Sequence, residues 1–273
     1  RDYTANVISA SKVVPDGNFK DSKASGVWDI NEALDLIKGG NWPNAANINP
    51  AAFVDALFQT HVYDGTGSAQ TITNGINLSG EGGLVWLKNR DASGAANIHG
   101  LFDTKRGASA RLDSSSSDAE ASQSGVTSFN SNGFTIGDSG SFNRSSEGIV
   151  SWTFRKQPKF FDVVTYSSNQ SSSQTINHNL GSVPGMIIVK RTSAAGNWVV
   201  YHRGADSSNP EEYALNLNTT GVRNQGTSFW NDTAPTSTQF TVGNNAQVND
   251  SDPADYVAYL FAHNNNDGGF GPD

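Results

Sequence analysis

The sequence predicts an all-β protein that contains one sandwich domain twice, and three observations support this prediction. An apolar pattern, Gly-Leu-Val-Trp-Leu-Lys at residues 83–88, returns as Gly-Met-Ile-Ile-Val-Lys at residues 185–190. Four consecutive apolar residues between a glycine and a lysine are typical of a strand buried on both faces. Short apolar strands also alternate with turns rich in Gly, Asn and Ser along the chain. This alternation is typical of antiparallel β-sandwiches.

The similarity between the two copies extends over about a hundred residues, which is the size of a domain and not of a solenoid repeat. We expect two cores of equal kind, one around Trp86 and Phe134 and one around the matching Ile188 and Phe240. The matching segments are 58–63 with 161–166, 70–72 with 174–176, 83–88 with 185–190, 127–129 with 227–229, 133–137 with 239–243 and 150–154 with 257–261. The predicted organisation is an N-terminal attachment segment at 1–55, a first sandwich at 56–157, a second at 158–263 and, at 264–273, a linker to a further C-terminal region.

The N-terminal segment is predicted to be an extended polar arm followed by one short helix. Asp29, with Glu32 three residues later, forms a capping-box pattern, and the helix is expected over residues 29–38. A helix this short is marginal alone, so its apolar side must be buried against another surface. The residues predicted to form this attachment surface are Trp28, Ile30, Leu34, Ile37 and Trp42.

Composition excludes several classes of partner and chemistry. The net charge of -8 repels nucleic acid and anionic lipid. The chain has no cysteine, which excludes disulfides, thiolate nucleophiles and cysteine-based metal sites. No apolar run approaches the roughly 18 residues that indicate a membrane span. We therefore expect neither nucleic-acid binding nor membrane insertion.

Carboxylates and histidines form no recognisable catalytic pattern. Glycoside hydrolysis by two carboxylates on one strand needs them at positions i and i+2, and no predicted strand contains such a pair. The five histidines lack metal-ligand spacing. One turn does collect oxygen ligands of the kind that Ca²⁺ takes, and the matching turn of the first copy carries Arg144, which favours turn formation over cation binding. The residues of that turn are Asn249, Asp250, Asp252 and Asp255. We predict no catalytic residue, no cofactor and no metal site, and cation binding at this turn stays open.

Tryptophans among polar residues are the remaining candidate binding sites. Trp230 is followed by Asn231 and Asp232, a mixture able to stack on a sugar and hydrogen-bond to it. These three residues are the predicted glycan site. Trp198 is expected to be part of a core, and Arg106 with its counterpart Arg203 is expected to bond a carboxylate or loop carbonyls.

Several segments resemble an uncharacterised domain that recurs in tandem in bacteriophage tail-fibre and related virion structural proteins, many from marine and cyanobacterial phages. The segments that carry the resemblance are 83–91, 101–107, 129–137 and 257–263, with Gly-Val-Trp-Asp at 26–29 and Asn-Trp-Pro at 41–43 ahead of them. The fold implied is a jelly-roll or concanavalin-like sandwich, which is an analogy at the level of fold alone.

The resemblance implies a tail fibre docked through its N-terminal region and involved in host attachment, with glycan binding as one route. The alternatives are a head-decoration, cement or capsid-fibre protein, and a glycan-degrading tailspike enzyme. Fibre-like proteins are commonly threefold, so a homotrimer is the implied assembly. Other virion proteins of the tail or head are the implied partners. The implied location is the phage particle, assembled in the host cytoplasm.

Overall fold

The computed structural model describes residues 54–91 and 98–263. All of these residues belong to one compact unit. The predicted arm, the attachment helix with its five surface residues, and residues 264–273 lie outside the described residues. None of the helices in the described part of the chain is long and apolar enough to cross a membrane.

The first repeat forms a six-stranded and a three-stranded antiparallel sheet, with strand orders β1-β9-β3-β4-β5-β6 and β2-β8-β7. Two single-turn helices, α1 (Val54–Leu57) and α2 (Leu78–Glu81), precede β1 and β3. The strands are β1 (Phe58–Asp64), β2 (Gln70–Thr73), β3 (Gly83–Asn89), β4 (His99–Asp103), β5 (Ala110–Asp113), β6 (Ala121–Ser122), β7 (Val126–Asn130), β8 (Gly133–Ile136) and β9 (Gly148–Arg155).

The second repeat forms a six-stranded sheet in the corresponding order, β10-β17-β12-β13-β14-β15, and a two-stranded sheet, β11-β16. A 3-10 helix (Pro210–Glu212) and a single α-helical turn, α3 (Thr227–Trp230), lie in its long connections. The strands are β10 (Phe161–Ser167), β11 (Gln174–Asn177), β12 (Pro184–Arg191), β13 (Val199–His202), β14 (Tyr213–Asn216), β15 (Asn224–Gln225), β16 (Gln239–Val242) and β17 (Asp255–Ala262). The all-β sandwich predicted from the sequence is confirmed.

Strand register shows which positions of the two repeats are equivalent. Each central strand, β3 or β12, pairs with the next strand along the chain and with the last strand of its repeat. The pairing partners fall at the same offsets in both copies, so the duplication extends to individual residues. Equivalent positions in the two large sheets, first repeat first, are Trp86 and Ile188, His99 and Trp198, Leu101 and Val200, and Trp152 and Tyr259.

The repeats differ at one of the segments where their sequences match. Thr-Ser-Phe at 127–129 lies in strand β7, whereas the same three residues at 227–229 lie in helix α3. In the first repeat a two-residue connection joins β7 directly to β8. In the second repeat, Asn231 adopts a left-handed conformation (φ 53°) that ends the helical turn, and a longer segment follows. The same three residues therefore adopt different local structures in the two repeats, because such short segments follow their surroundings.

Three hydrophobic cores are formed by the residues that the structure describes. One core lies between the large and small sheets of the first repeat and contains Phe134, and a second lies at the equivalent place in the second repeat and contains Phe240. The third core joins the two large sheets face to face, with Leu84 and Leu101 on one side and Ile188 on the other. The sheets thus stack in four layers: three-stranded, six-stranded, six-stranded and two-stranded.

The third core corrects the predicted grouping of core residues. Phe134 and Phe240 are buried, as expected, but Trp86 and Ile188 belong to the core between the repeats. Successive side chains of a strand point to opposite faces. In β3 it is Val85 and Leu87 that join the core containing Phe134. The central strands are buried on both faces, and each repeat supplies the cover for the second face of the other.

A buried polar network crosses between the repeats. The Nε of Arg106 lies 2.6 Å from Oδ2 of Asp103, and its Nη1 lies 3.0 Å from Glu120. The Tyr259 hydroxyl, from the second repeat, donates to Asp103 Oδ2 at 2.9 Å. The expectation that Arg106 bonds a carboxylate is confirmed, and it also donates to the backbone carbonyl oxygens of Leu101 in β4 and Ala110 in β5. Its sequence counterpart Arg203 is exposed and contacts the His263 ring.

A second buried cation, Lys190, also joins the repeats. Its Nζ donates to the carbonyl oxygens of Ser117 in the first repeat (3.3 Å) and Arg191 (2.8 Å). Burial lowers the pKa of Lys190 to about 8, although Asp118 opposes this shift. The charged form is disfavoured because the ammonium group has lost much of its hydration.

We expect Lys190 to make the stability of the protein depend on pH. Its pKa is about 8 in the folded protein and 10.5 for an ordinary lysine, so the unfolded chain binds more protons between these values. The contribution of Lys190 to the free energy of unfolding therefore rises as pH increases from about 8 to 10.5. Urea titrations across this range should show the protein gaining stability relative to Lys190→Met. The exposed Lys105→Met variant is the control, and a parallel pH dependence of the protein and Lys190→Met would contradict the assignment.

Candidate functional site

The predicted glycan site at Trp230 is wrong in its main assumption, because this side chain is not exposed. Trp230 is 2% exposed, its Nε1 donates to the carbonyl oxygen of Tyr213 at 3.0 Å, and its ring packs edge-on against Tyr201. The neighbours Asn231 and Asp232 both have positive φ, at 53° and 45°. These two polar residues form the turn that ends helix α3. No stacking face of Trp230 is available to a sugar.

The turn that contains Asn249, Asp250, Asp252 and Asp255 serves the fold. Asn249 is buried and donates to the Ser171 carbonyl and to Asn169. Its counterpart Asn143 makes similar bonds in the first repeat. Asp250 pairs with Arg191 at 2.6 Å, and Asp255 accepts from the Ser167 hydroxyl. Among the described residues, no three His, Asp or Glu side chains form a group able to hold a metal ion.

A different site lies where the inner face of the first large sheet meets a loop of the second repeat. It is a cleft of about 440 Å³, within the usual size range of small-ligand pockets. Trp86, His99, Ser114 and Ser115 form its wall in the first repeat, and residues 217–220, which follow β14, form the opposite wall. We call this the inter-repeat cleft. Sequence reasoning placed Trp86 in a core and did not identify the cleft.

Trp86 provides the main apolar surface of the inter-repeat cleft. It is half-buried, because it lies at the margin of the third core and not at its centre. The rings of Trp152 and His99 pack edge-on against it, each with a centroid distance of 6.2 Å. Across the cleft, Leu217 is 43% exposed, a large fraction for a leucine. The indole orientation is therefore set by its neighbours while part of its surface remains accessible.

His99 is held in one tautomer by its neighbours. Nε1 of Trp86 donates to Nδ1 of His99 at 3.3 Å, so Nδ1 is the acceptor and the neutral ring carries its proton on Nε2. The pKa of His99 is lowered, first by burial and then by Lys88, while Asp113 acts in the opposite direction. At neutral pH the ring is uncharged, and Nε2 is a hydrogen-bond donor.

Apart from Leu217, the rim of the inter-repeat cleft consists of hydroxyl and amide groups. Thr219 and Thr220 are exposed, and the Ser115 hydroxyl donates to Asp113 at 2.7 Å, which leaves its oxygen able to accept. Asn218 is occupied, since it accepts from the Trp198 backbone N–H and donates to Asn197. With His99 neutral, no residue of the lining carries a charge.

Two other surface clefts have a different character. One, of about 480 Å³, is lined by Glu81, Lys105 and Lys156, and Lys156 is paired with Asp162 at 2.9 Å. The other, of about 370 Å³, contains Arg106 and Glu120, which pair with each other. Charged side chains form part of both linings, and Lys156, Arg106 and Glu120 already have partners within the protein. The inter-repeat cleft combines exposed apolar surface with uncharged donors and acceptors, a combination suited to small polar molecules that have an apolar side.

The fold and the cleft place the chain in the class of duplicated all-β sandwich proteins. Its two copies share a core, and an uncharged cleft lies at one margin of that core. Within this class the chain belongs to the DUF7483 family, a domain of unknown function whose family model matches residues 55–271. The match spans both repeats. None of the curated proteins compared with the chain is similar to it in sequence.

Proposed function

We propose that this chain is a bacteriophage virion structural protein, a tail fibre docked through its N-terminal region and involved in host attachment by glycan binding. The observation that carries the proposal is the inter-repeat cleft, which presents Trp86 beside hydroxyl groups, as a sugar-binding surface requires. The resemblance of both repeats to tandem domains of tail-fibre proteins supports the virion role.

The shared core supports the same proposal on mechanical grounds. Two sandwiches joined only by a linker would move independently, because inter-domain motion is the default when the interface is small and polar. Here Leu84 and Leu101 of one sheet pack on residues such as Ile188 of the other, and a buried ion pair lies beside them. A stiff element of this kind suits a projecting fibre. Assembly as a homotrimer would multiply a weak contact, since linked sites raise avidity by factors on the order of 10² to 10⁴.

The role in the particle is tested by locating the protein. We expect mass spectrometry to find it in purified particles and gold-labelled antibodies to place it on the tail. Deleting residues 1–43 should leave a folded protein that no longer incorporates into particles. Absence from purified particles would contradict the proposal, as would labelling confined to the head. Release of reducing sugar from host polysaccharide would instead favour an enzyme.

A further inference from the structure

The duplication provides an internal comparison for the inter-repeat cleft. At the position equivalent to His99, the second repeat carries Trp198, which is fully buried. Its indole N–H donates to the carbonyl oxygens of Asp113 (3.0 Å) and Ser116 (3.1 Å) in the first repeat. The loop after β5 of the first repeat therefore packs onto the large sheet of the second repeat. The indole of Trp198 fills the space between them.

The equivalent loop after β14 leaves its side open. The two loops begin alike, since the N–H of Ser114 donates to the His99 carbonyl oxygen and that of Leu217 to the Trp198 carbonyl oxygen. The opposing side chains differ, since the imidazole of His99 is smaller than the indole of Trp198 and Trp86 stands at the position of Ile188. A buried Trp198 has no free face, whereas the cleft beside His99 leaves part of Trp86 accessible. The space at Trp198 is filled by the protein itself, and the cleft beside His99 is available to a ligand.

The lining of the open side selects the charge of that ligand. An anionic sugar would bring a carboxylate or sulfate into a cleft whose lining carries no cation, on a protein of net charge -8. Placing a charge there without a partner is unfavourable. A neutral pyranose has an apolar face of C–H groups for an aromatic ring and hydroxyls for the rim.

We propose that the inter-repeat cleft binds a neutral pyranose of a surface glycan, with Trp86 stacking on the sugar ring and Thr219, Thr220 and His99 Nε2 bonding its hydroxyls. The inference rests on the proposed attachment function and names the site and the ligand class. The buried Trp198 on the closed side has no part in binding.

The test is binding of free saccharides to the full-length protein, measured by ligand-observed NMR. The probes are neutral hexoses and their disaccharides, with sialylated, sulfated and uronic-acid glycans for comparison. We expect neutral sugars to bind with dissociation constants on the order of 1 mM, as for a single small site. Binding only to the anionic glycans, or to none of the probes, would overturn the inference.

Substitutions then locate the site. Trp86→Ala should weaken binding by at least about tenfold, and the exposed-rim variants Leu217→Ser and Thr219→Ala/Thr220→Ala by about threefold to tenfold. Because Trp86 also contributes to the core between the repeats, the rim variants keep the test valid if Trp86→Ala does not fold. Val183→Ser is the matched control, since Val183 is 40% exposed against 43% for Leu217 and lies outside the cleft.

The outcomes separate this inference from the proposed function. Unchanged binding in both rim variants would place the sugar elsewhere and overturn the assignment of the cleft, as would equal losses in Val183→Ser. A protein located in the tail that binds no neutral sugar would refute the ligand class while leaving the virion role intact. Neutral sugar binding by a protein absent from particles would refute the virion role alone.

Discussion

Replacing Phe134 by alanine is expected to lower the free energy of unfolding by about 3 to 5 kcal/mol, the usual loss for a buried aromatic residue. Phe134 is 0% exposed, lies opposite Ile72 in the small sheet, and packs edge-on against Tyr63 across the core. Truncation leaves a cavity between the two sheets of the first repeat. Urea or guanidinium unfolding followed by tryptophan fluorescence measures the loss.

Two further variants make the Phe134 result specific. Phe240→Ala removes the equivalent ring of the second repeat and should cost a similar amount, because Phe240 is 2% exposed and faces Ile176 in the same register. Val222→Ala is the surface control, since Val222 is 88% exposed. A loss below about 1 kcal/mol for both phenylalanine variants would contradict their assignment to cores, and clearly unequal losses would contradict the equivalence of the two cores.

Arg106→Ala is expected to cost about 3 to 5 kcal/mol, because it leaves the buried Asp103 carboxylate without its cation. The side chains of Arg106 and Asp103 are 5% and 0% exposed. The Tyr259 hydroxyl remains as a donor to Asp103 and offsets only part of the loss. We expect both the midpoint temperature of thermal unfolding and the midpoint denaturant concentration to be lower in Arg106→Ala. The network lies between the repeats and stabilises both of them.

Arg203→Ala is the matched control for Arg106→Ala. The two arginines occupy similar places in the repeated sequence, but Arg203 is exposed. Interactions of exposed arginines contribute about 0 to 1 kcal/mol, so the control should change stability little. Similar effects of the two substitutions would mean that the network at Asp103 does not carry the stability assigned to it.

The duplication and the all-β fold were predictable because they depend on local patterns. The apolar run in β3 correctly predicts burial on both faces, since a strand exposed on one face would alternate apolar and polar residues. What covers the second face was not predictable. Leu84 and Ile188 both belong to the third core, but the residue pattern of a strand indicates only that the strand is buried and not which surface covers it.

The candidate site was harder to predict than the fold. Polar neighbours suggested that Trp230 is exposed, but Asn231 and Asp232 reflect the turn after helix α3 and not the environment of the indole. Trp86 lies in an apolar run, which correctly indicates contact with a core. The run gives no sign that Trp86 is partly exposed. The usable signal was the difference between the copies, where Trp86 and His99 replace Ile188 and Trp198. Side chains of different size at equivalent positions indicate where the two copies of a duplicated fold differ in structure.

Because the two large sheets pack face to face, chains built from this repeat are expected to contain an even number of copies. Each large sheet uses the same face, around Leu101 in the first repeat and the equivalent Val200 in the second, so the contact is self-complementary and closes on itself. In a pair of repeats, this face of each large sheet is covered by the other repeat. A third repeat of the same kind would carry an uncovered apolar sheet, and its solubility would depend on a fourth repeat or on another chain. Repeats of this type should therefore be gained and lost two at a time.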